Sequence, residues 1–393
     1  MTKPALWAIG CGQLVNWGVL FFAFGVLLVP VEASMNAPRW LVTGAFSLGL
    51  LISAMAAPAV GRLADRGQGP AVMQAGGLIA AGLLLVWAAI PTLTVTYLVW
   101  AALGACMAAI LYEPVFAIVG RAFDDGDTRL RAIATVTVMG GLASTVFIPG
   151  TAMLVAQAGW RVAVVVLAVI LAVTTQVVTR MALRLVPVSA ADLRAALFGD
   201  AASAPSRTEA PLLTRYVAVF SISSIVNSAV AANIVAALIE RQLSPARASI
   251  IAGLFGVMQL PGRLLMTNPA FTPAPIPLLI ASFALQIAGV LTLMLSGRAA
   301  PWVGVMLFAS GAGLTTLARP YLVLQIYGSD RAGQINGMIA RGQQLARAAG
   351  PVSAAALAGV TGYGKVFAAL SLLLVAAIAI TPLRQVSPTR SVS

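Results

Sequence analysis

Apolar residues do not alternate with polar ones along this chain. They run on for about 20 positions at a time, on every face of any helix they would form, which marks helices bathed in lipid rather than packed by one stripe. A bilayer core of about 30 Å needs about 20 apolar residues per crossing. Twelve runs meet that requirement, over about 5–30, 39–60, 70–91, 94–121, 131–157, 160–182, 214–240, 247–266, 274–295, 301–326, 334–360 and 363–383. The breaks carry turn residues: Asn36-Ala37-Pro38, Gly67-Gln68-Gly69-Pro70, Asp124-Asp125-Gly126-Asp127, Gly159, Ser244-Pro245 and Gly362. The fold class expected is an all-α membrane protein with twelve transmembrane helices in two pseudo-symmetric six-helix bundles.

One long polar stretch interrupts the pattern. It divides the chain into a first bundle (1–183), a cytoplasmic linker (184–213), a second bundle (214–383) and a disordered tail (384–393). Ala201 to Ser206 reads as flexible linker, and Ser189 to Phe198 as a short amphipathic surface helix. The first apolar run is too long for a cleaved signal core.

Composition agrees with the pattern. Of 393 residues, 60% are hydrophobic and 9% charged, against about 25% charged in a soluble domain. So few charges cannot coat a water-facing surface of this size. The net charge of +13 would suggest nucleic acid in a soluble protein. Here it follows topology. With the N-terminus inside, 15 of the 24 Lys and Arg residues fall on the cytoplasmic side and six opposite, the bias of an inner membrane protein with both termini cytoplasmic. No nucleic-acid partner is expected, and a monomer in the bilayer is. There is no histidine, so a proton relay would need a carboxylate. Cys11 and Cys106 lie in apolar runs and read as small hydrophobes. No phosphate-binding loop, nucleophile elbow or metal-ligand cluster occurs, so neither an enzyme nor a cofactor is expected.

The two halves repeat at scattered points. Val15-Asn16 matches Val226-Asn227, Gly61-Arg62-Leu63 matches Gly262-Arg263-Leu264, Glu113-Pro114 matches Arg319-Pro320, and Pro149 matches Pro351. The offsets cluster between 201 and 211. Parallel repeats of this kind belong to one class of secondary transporter, with its site at the repeat interface near the midplane.

Between the second and third runs stands Gly61-Arg62-Leu63-Ala64-Asp65-Arg66. It resembles the G-x-L-x-D-R loop of the major facilitator superfamily, although Gly67-Gln68-Gly69-Pro70 replaces the basic residues that usually follow. The resemblance implies alternating access, with Gly61, Arg62, Asp65, Arg66 and the degenerate copy at Gly262 and Arg263 locking one conformational state. The stretch from Arg39 to Ser47, with Trp17-Gly18, is similar to the monocarboxylate and oxalate–formate branch. The resemblance also implies that runs one, four, seven and ten line the cavity.

Candidate site residues follow from charge in the wrong solvent. Glu113 is the one carboxylate well inside an apolar run, and its repeat mate is Arg319. An ionisable group within a span is costly and marks function by default. Both sit roughly 11 Å deep at ~1.5 Å per residue. The prolines that follow them have no N–H, which strips the carbonyls of Ile110 and Thr316 of their helical partners. Three roles are open to the pair: a cytoplasmic gate, proton coupling through Glu113, or packing inside each half. Run eleven adds Asn336, Gln343 and Arg347 on one face, and Arg341 on another. Two roles are open to Gln13 and Asn16 in run one and to Asn227 and Asn233 in run seven, contact with a solute or hydrogen bonds between helices, and Tyr112 is a candidate wall of the cavity. Arginine outnumbers carboxylate within the spans, which favours a small organic anion. The alternatives are proton-coupled efflux of a neutral or cationic hydrophobic compound, with Glu113 as the acid, and a transporter-like sensor without net flux.

Overall fold

The structure is a computed structural model that describes residues 3–64, 68–112, 114–115, 118, 126–185, 210–261, 273–327 and 329–382. In chain order the helices are α1 (Lys3–Trp17), α2 (Ala23–Met35), α3 (Arg39–Leu63), α4 (Gly69–Ala89), α5 (Leu93–Ile110), α6 (Gly126–Gly141), α7 (Ala143–Leu185), α8 (Ala210–Glu240), α9 (Pro245–Val257), α10 (Pro275–Met294), α11 (Ala300–Tyr327), α12 (Ser329–Thr361) and α13 (Tyr363–Ile380). A π-turn over Gly18–Phe22 joins α1 to α2 within one pass.

Among the described residues, nine helical stretches are long and apolar enough to cross a membrane. One of them, over Thr135–Met181, is too long for a single crossing and is interrupted at Gly159. The shorter apolar helix α9 and the long helix α12 lie beside them, an arrangement consistent with twelve passes. Hydropathy alone underrates α12, because its middle carries Arg341, Gln343, Gln344 and Arg347.

Two glycines show the repeat in the backbone itself. Gly159 has φ 80° and ψ 164°. Gly362, at the matching break before α13, has φ 78° and ψ 161°. Both lie in left-handed territory that a Cβ disfavours, so the same turn is built twice with the same residue. An aromatic follows each, Trp160 and Tyr363, and both are buried.

Within the first bundle α3 packs on α5, α4 on α5 and α7, and α1 on α6 and α7. In the second, α10 packs on α11 and α13, and α8 on α12 and α13. Small residues permit the closest crossings, as between spanning helices generally. A Cβ on Gly49 would stand 2.6 Å from the Trp100 carbonyl oxygen, and one on Gly104 would strike Gly49 itself. Phe24 stacks on Phe46 at 4.3 Å, with Trp100 edge-on to both.

Among the described residues, the bundles meet mainly along three seams. α3 lies on α12, α7 on α9, and α2 on α8. Exchanging the bundles turns the first seam into the second and the third into itself, as a two-fold axis between repeats requires. Among the described residues, these seam contacts stand out. The Val352 N–H donates to Ser47 Oγ at 3.2 Å, the Val257 N–H to Thr145 Oγ1 at 2.9 Å, and Gly25 faces the carbonyls of Ala231 and Ala232. All belong to the middle of the bundle or the end away from the termini. α1, nearer the termini, packs mainly inside its own bundle, whereas its continuation α2 lies against α8.

Candidate functional site

The site begins at the end of α5. Leu111 leaves the helix with ψ −153°, and Pro114 lies where the Ile110 carbonyl would find its helical N–H. That carbonyl is not abandoned. Gln13 Nε2 donates to it at 2.8 Å and Asn16 Nδ2 at 2.9 Å. Both amides are buried. A carbonyl oxygen has two lone pairs, and α1 supplies a donor to each. A small cavity beside them is lined by Asn16, Met73, Ile110, Thr175 and Thr179.

The break turns Tyr112 toward α1 and α6. Its ring lies 5.1 Å from that of Trp17, and its hydroxyl fills the space left by the missing side chain of Gly140. Across the seam, the Arg347 guanidinium on α12 stands 5.8 Å from the centroid of the Trp17 indole. Trp17 therefore touches the first bundle through Tyr112 and the second through a cation. The indole Nε1 is buried without a hydrogen-bond partner.

In the second bundle, Arg319 Nη1 donates to Gln343 Oε1, and Gln343 Nε2 donates to the Phe220 carbonyl at 3.4 Å. This joins α11, α12 and α8. Arg341 is exposed on α12. Asn227 Nδ2 donates to the Ser223 carbonyl at 2.9 Å and to Gln286 Oε1 at 3.3 Å. Gln286 Nε2 continues to Thr315 Oγ1 at 2.9 Å, and that hydroxyl to Ser282 Oγ at 2.9 Å.

The structure thus brings Tyr112, Trp17 and Arg347 together where the bundles meet. It gives Arg319 and Gln343 to each other inside the second bundle. Asn16 and Asn227 each bond within their own bundle, to different kinds of partner. Gly61 lies on α3. Glu113, Asp65, Arg66, Gly262 and Arg263, with the side chains of Arg62 and Asn336, lie outside the described residues, as do the linker over 186–209 and the tail. Cys11 is exposed and Cys106 buried. Among the described residues no three His, Cys, Asp or Glu side chains gather as metal ligands.

Of the two roles open to Gln13, the structure shows the hydrogen bond between helices. Sequence reasoning passed over the polar group that Glu32, Arg39, Glu240 and Tyr363 form around Asn233 at the opposite end. One signal was available, because Glu32 and Glu240 stand 208 residues apart, within the range of the repeat offsets.

The family model of the Major Facilitator Superfamily matches residues 6–351. No curated protein matches the sequence. Among solved structures, the chain is similar to a bacterial homologue of the human lysosomal transporter Spinster, inward-facing and occupied. The TM-score is 0.75 at 15% identity, over 97% of both chains. It is also similar to the peptide transporter POT, with a TM-score of 0.73 at 13% identity over 96% of this chain and 94% of that one. The human organic anion transporter TETRAN gives 0.68 at 16% identity, over 97% of this chain and all of the other.

Proposed function

The chain belongs to the major facilitator superfamily, and from that premise we propose that it carries a small organic anion across the membrane by alternating access. It is a multi-pass transporter and not an enzyme. The observation that supports an anionic cargo is the placement of Arg347. This arginine stands at the meeting of the bundles, on the aromatic face of Trp17, where a solute bound between them would lie. Its planar fork suits a carboxylate. Arg319, on the neighbouring helix α11 and bonded to Gln343 of α12, adds a second cation in the same bundle.

The basic residues support cytoplasmic termini in the inner membrane, and the described contacts between the bundles then lie in the middle of the membrane and toward its far side. Proton coupling falls to Glu113 in this reading. Glu113→Gln is expected to leave solute exchange intact and abolish the dependence of uptake on a pH gradient. Equal gradient dependence in the variant and the parent would remove Glu113 from coupling.

The cargo is tested by uptake into proteoliposomes, with a panel of small mono- and dicarboxylates competing against a labelled member. Competition by carboxylates and not by their amides is the expected result. Competition by hydrophobic amines alone would favour efflux of a cation. Saturable binding without flux would mark a sensor.

A further inference from the structure

We propose that Arg39, Glu32 and Tyr363 form a latch that holds the bundles shut at the end away from the chain termini, with Arg39 and Tyr363 as its two working surfaces. The proposal uses the alternating-access reading for its purpose, but the contacts stand without it. Glu32 lies in the last turn of α2, and Arg39 opens α3. Arg39 Nε is 2.9 Å from Glu32 Oε2, and both side chains are about a quarter exposed. Both belong to the first bundle. The same guanidinium stands 5.8 Å from the ring centroid of Tyr363, the first residue of α13 in the second bundle.

Tyr363 is held from three directions. Its N–H donates to Glu240 Oε1 at 3.1 Å, and its hydroxyl to Asn233 Oδ1 at 3.0 Å. The positive φ of Gly362 sets the turn that delivers it. Asn233 Nδ2 reaches the Pro351 carbonyl at 3.3 Å. The next residue, Val352, bonds back to Ser47 in the first bundle. The contacts therefore leave the first bundle at Arg39, cross the second, and return to the first at Ser47. A rigid ring facing a cation makes a better latch than a mobile one, because little rotamer entropy remains to be lost on closing.

The division of labour suits repeated opening. The Arg39–Glu32 ion pair lies within one bundle and can travel with it. The cation–π contact, the Val352–Ser47 hydrogen bond and the packing around them have to part. A cation–π contact is weak enough to break in each cycle and strong enough to bias a two-state equilibrium. The repeat also shows that the device is built once. At the matching turn, Trp160 is covered by Arg161 from its own bundle at 5.7 Å, and Arg247, the counterpart of Arg39, is exposed. Of two seams related by symmetry, one carries the latch.

The test reads opening without any solute. In a Cys11→Ser, Cys106→Ser background, Ala231→Cys places a reporter in the buried α2–α8 seam. Its labelling by a charged maleimide is followed in nanodiscs, on protein shown to be monodisperse by gel filtration. Arg39→Ala and Tyr363→Leu are each expected to speed labelling roughly five-fold. Tyr363→Phe keeps the ring and is expected to do less. The Arg39→Ala, Tyr363→Leu pair is expected to do no more than either alone, because both remove one contact. Labelling at the parent rate in both single variants would overturn the latch, as would effects that multiply in the pair. If Arg39→Ala is not monodisperse, Arg39→Gln takes its place. Failure of anion transport leaves this result untouched.

Discussion

Arg347→Ala is expected to raise the KM for carboxylate uptake by about 100-fold while leaving the protein folded. Removing one partner of a desolvated, hydrogen-bonded charge pair costs roughly 2–5 kcal/mol, and each 1.4 kcal/mol is about tenfold in affinity. In the resting structure the guanidinium lies on Trp17 at 5.8 Å, a contact worth about 0.5–2 kcal/mol. A carboxylate on its fork adds a charge-assisted pair, so solute binding should fall further than the loss of that contact alone accounts for. Arg347→Lys restores the charge but not the planar fork, so its KM should lie between the two. Initial uptake rates over a concentration series, with a melting curve in detergent, separate these effects. An unchanged KM in Arg347→Ala would move the anion to Arg319. Arg319 donates to Gln343 within its own bundle.

What the sequence disclosed and what it withheld divide along a physical line. Each pass had to satisfy its backbone inside the span and end in turn chemistry, so run lengths and punctuation revealed the passes. Gly159 and Gly362 illustrate this, since each ends a run and adopts the same unusual backbone. The freed carbonyl of Ile110 was also legible, because it follows from the covalent structure of Pro114. Its partner was not. Asn16 and Asn227 occupy matching places, yet one meets a broken helix and the other an amide on α10. That difference arises from neighbouring helices that have diverged. The latch was illegible for another reason. Glu32 and Arg39 sit where apolar runs end, and there a charge ordinarily reads as solvated. Their importance depends on Tyr363, more than 320 positions away in sequence, and on which seam is shut.

The break in α5 is the place where stability and transport should come apart. Gln13→Leu combined with Asn16→Leu removes both donors from the Ile110 carbonyl, in a region sealed from water. An orphaned buried carbonyl costs about 1–3 kcal/mol, and the two lost interhelical bonds add about 0.6 kcal/mol each on average. The melting midpoint should fall by several degrees. Adding Pro114→Ala supplies the N–H that proline lacks and removes the ring that clashes with the carbonyl of residue 110. The helix can then close across Leu111, and the carbonyl regains a partner. The triple variant should recover at least half of the lost stability. It should not recover transport. A continuous helix rotates Tyr112 away from Trp17 and Gly140, and with it the residue next in the chain, Glu113. Melting and uptake measured on the same three preparations decide the matter. If Pro114→Ala restores uptake along with stability, the break is only a packing adjustment. If it restores neither, the two amides do not serve the carbonyl that proline set free. Stability regained with uptake still absent would show that α1 spends two buried amides to keep a helix broken where the solute passes.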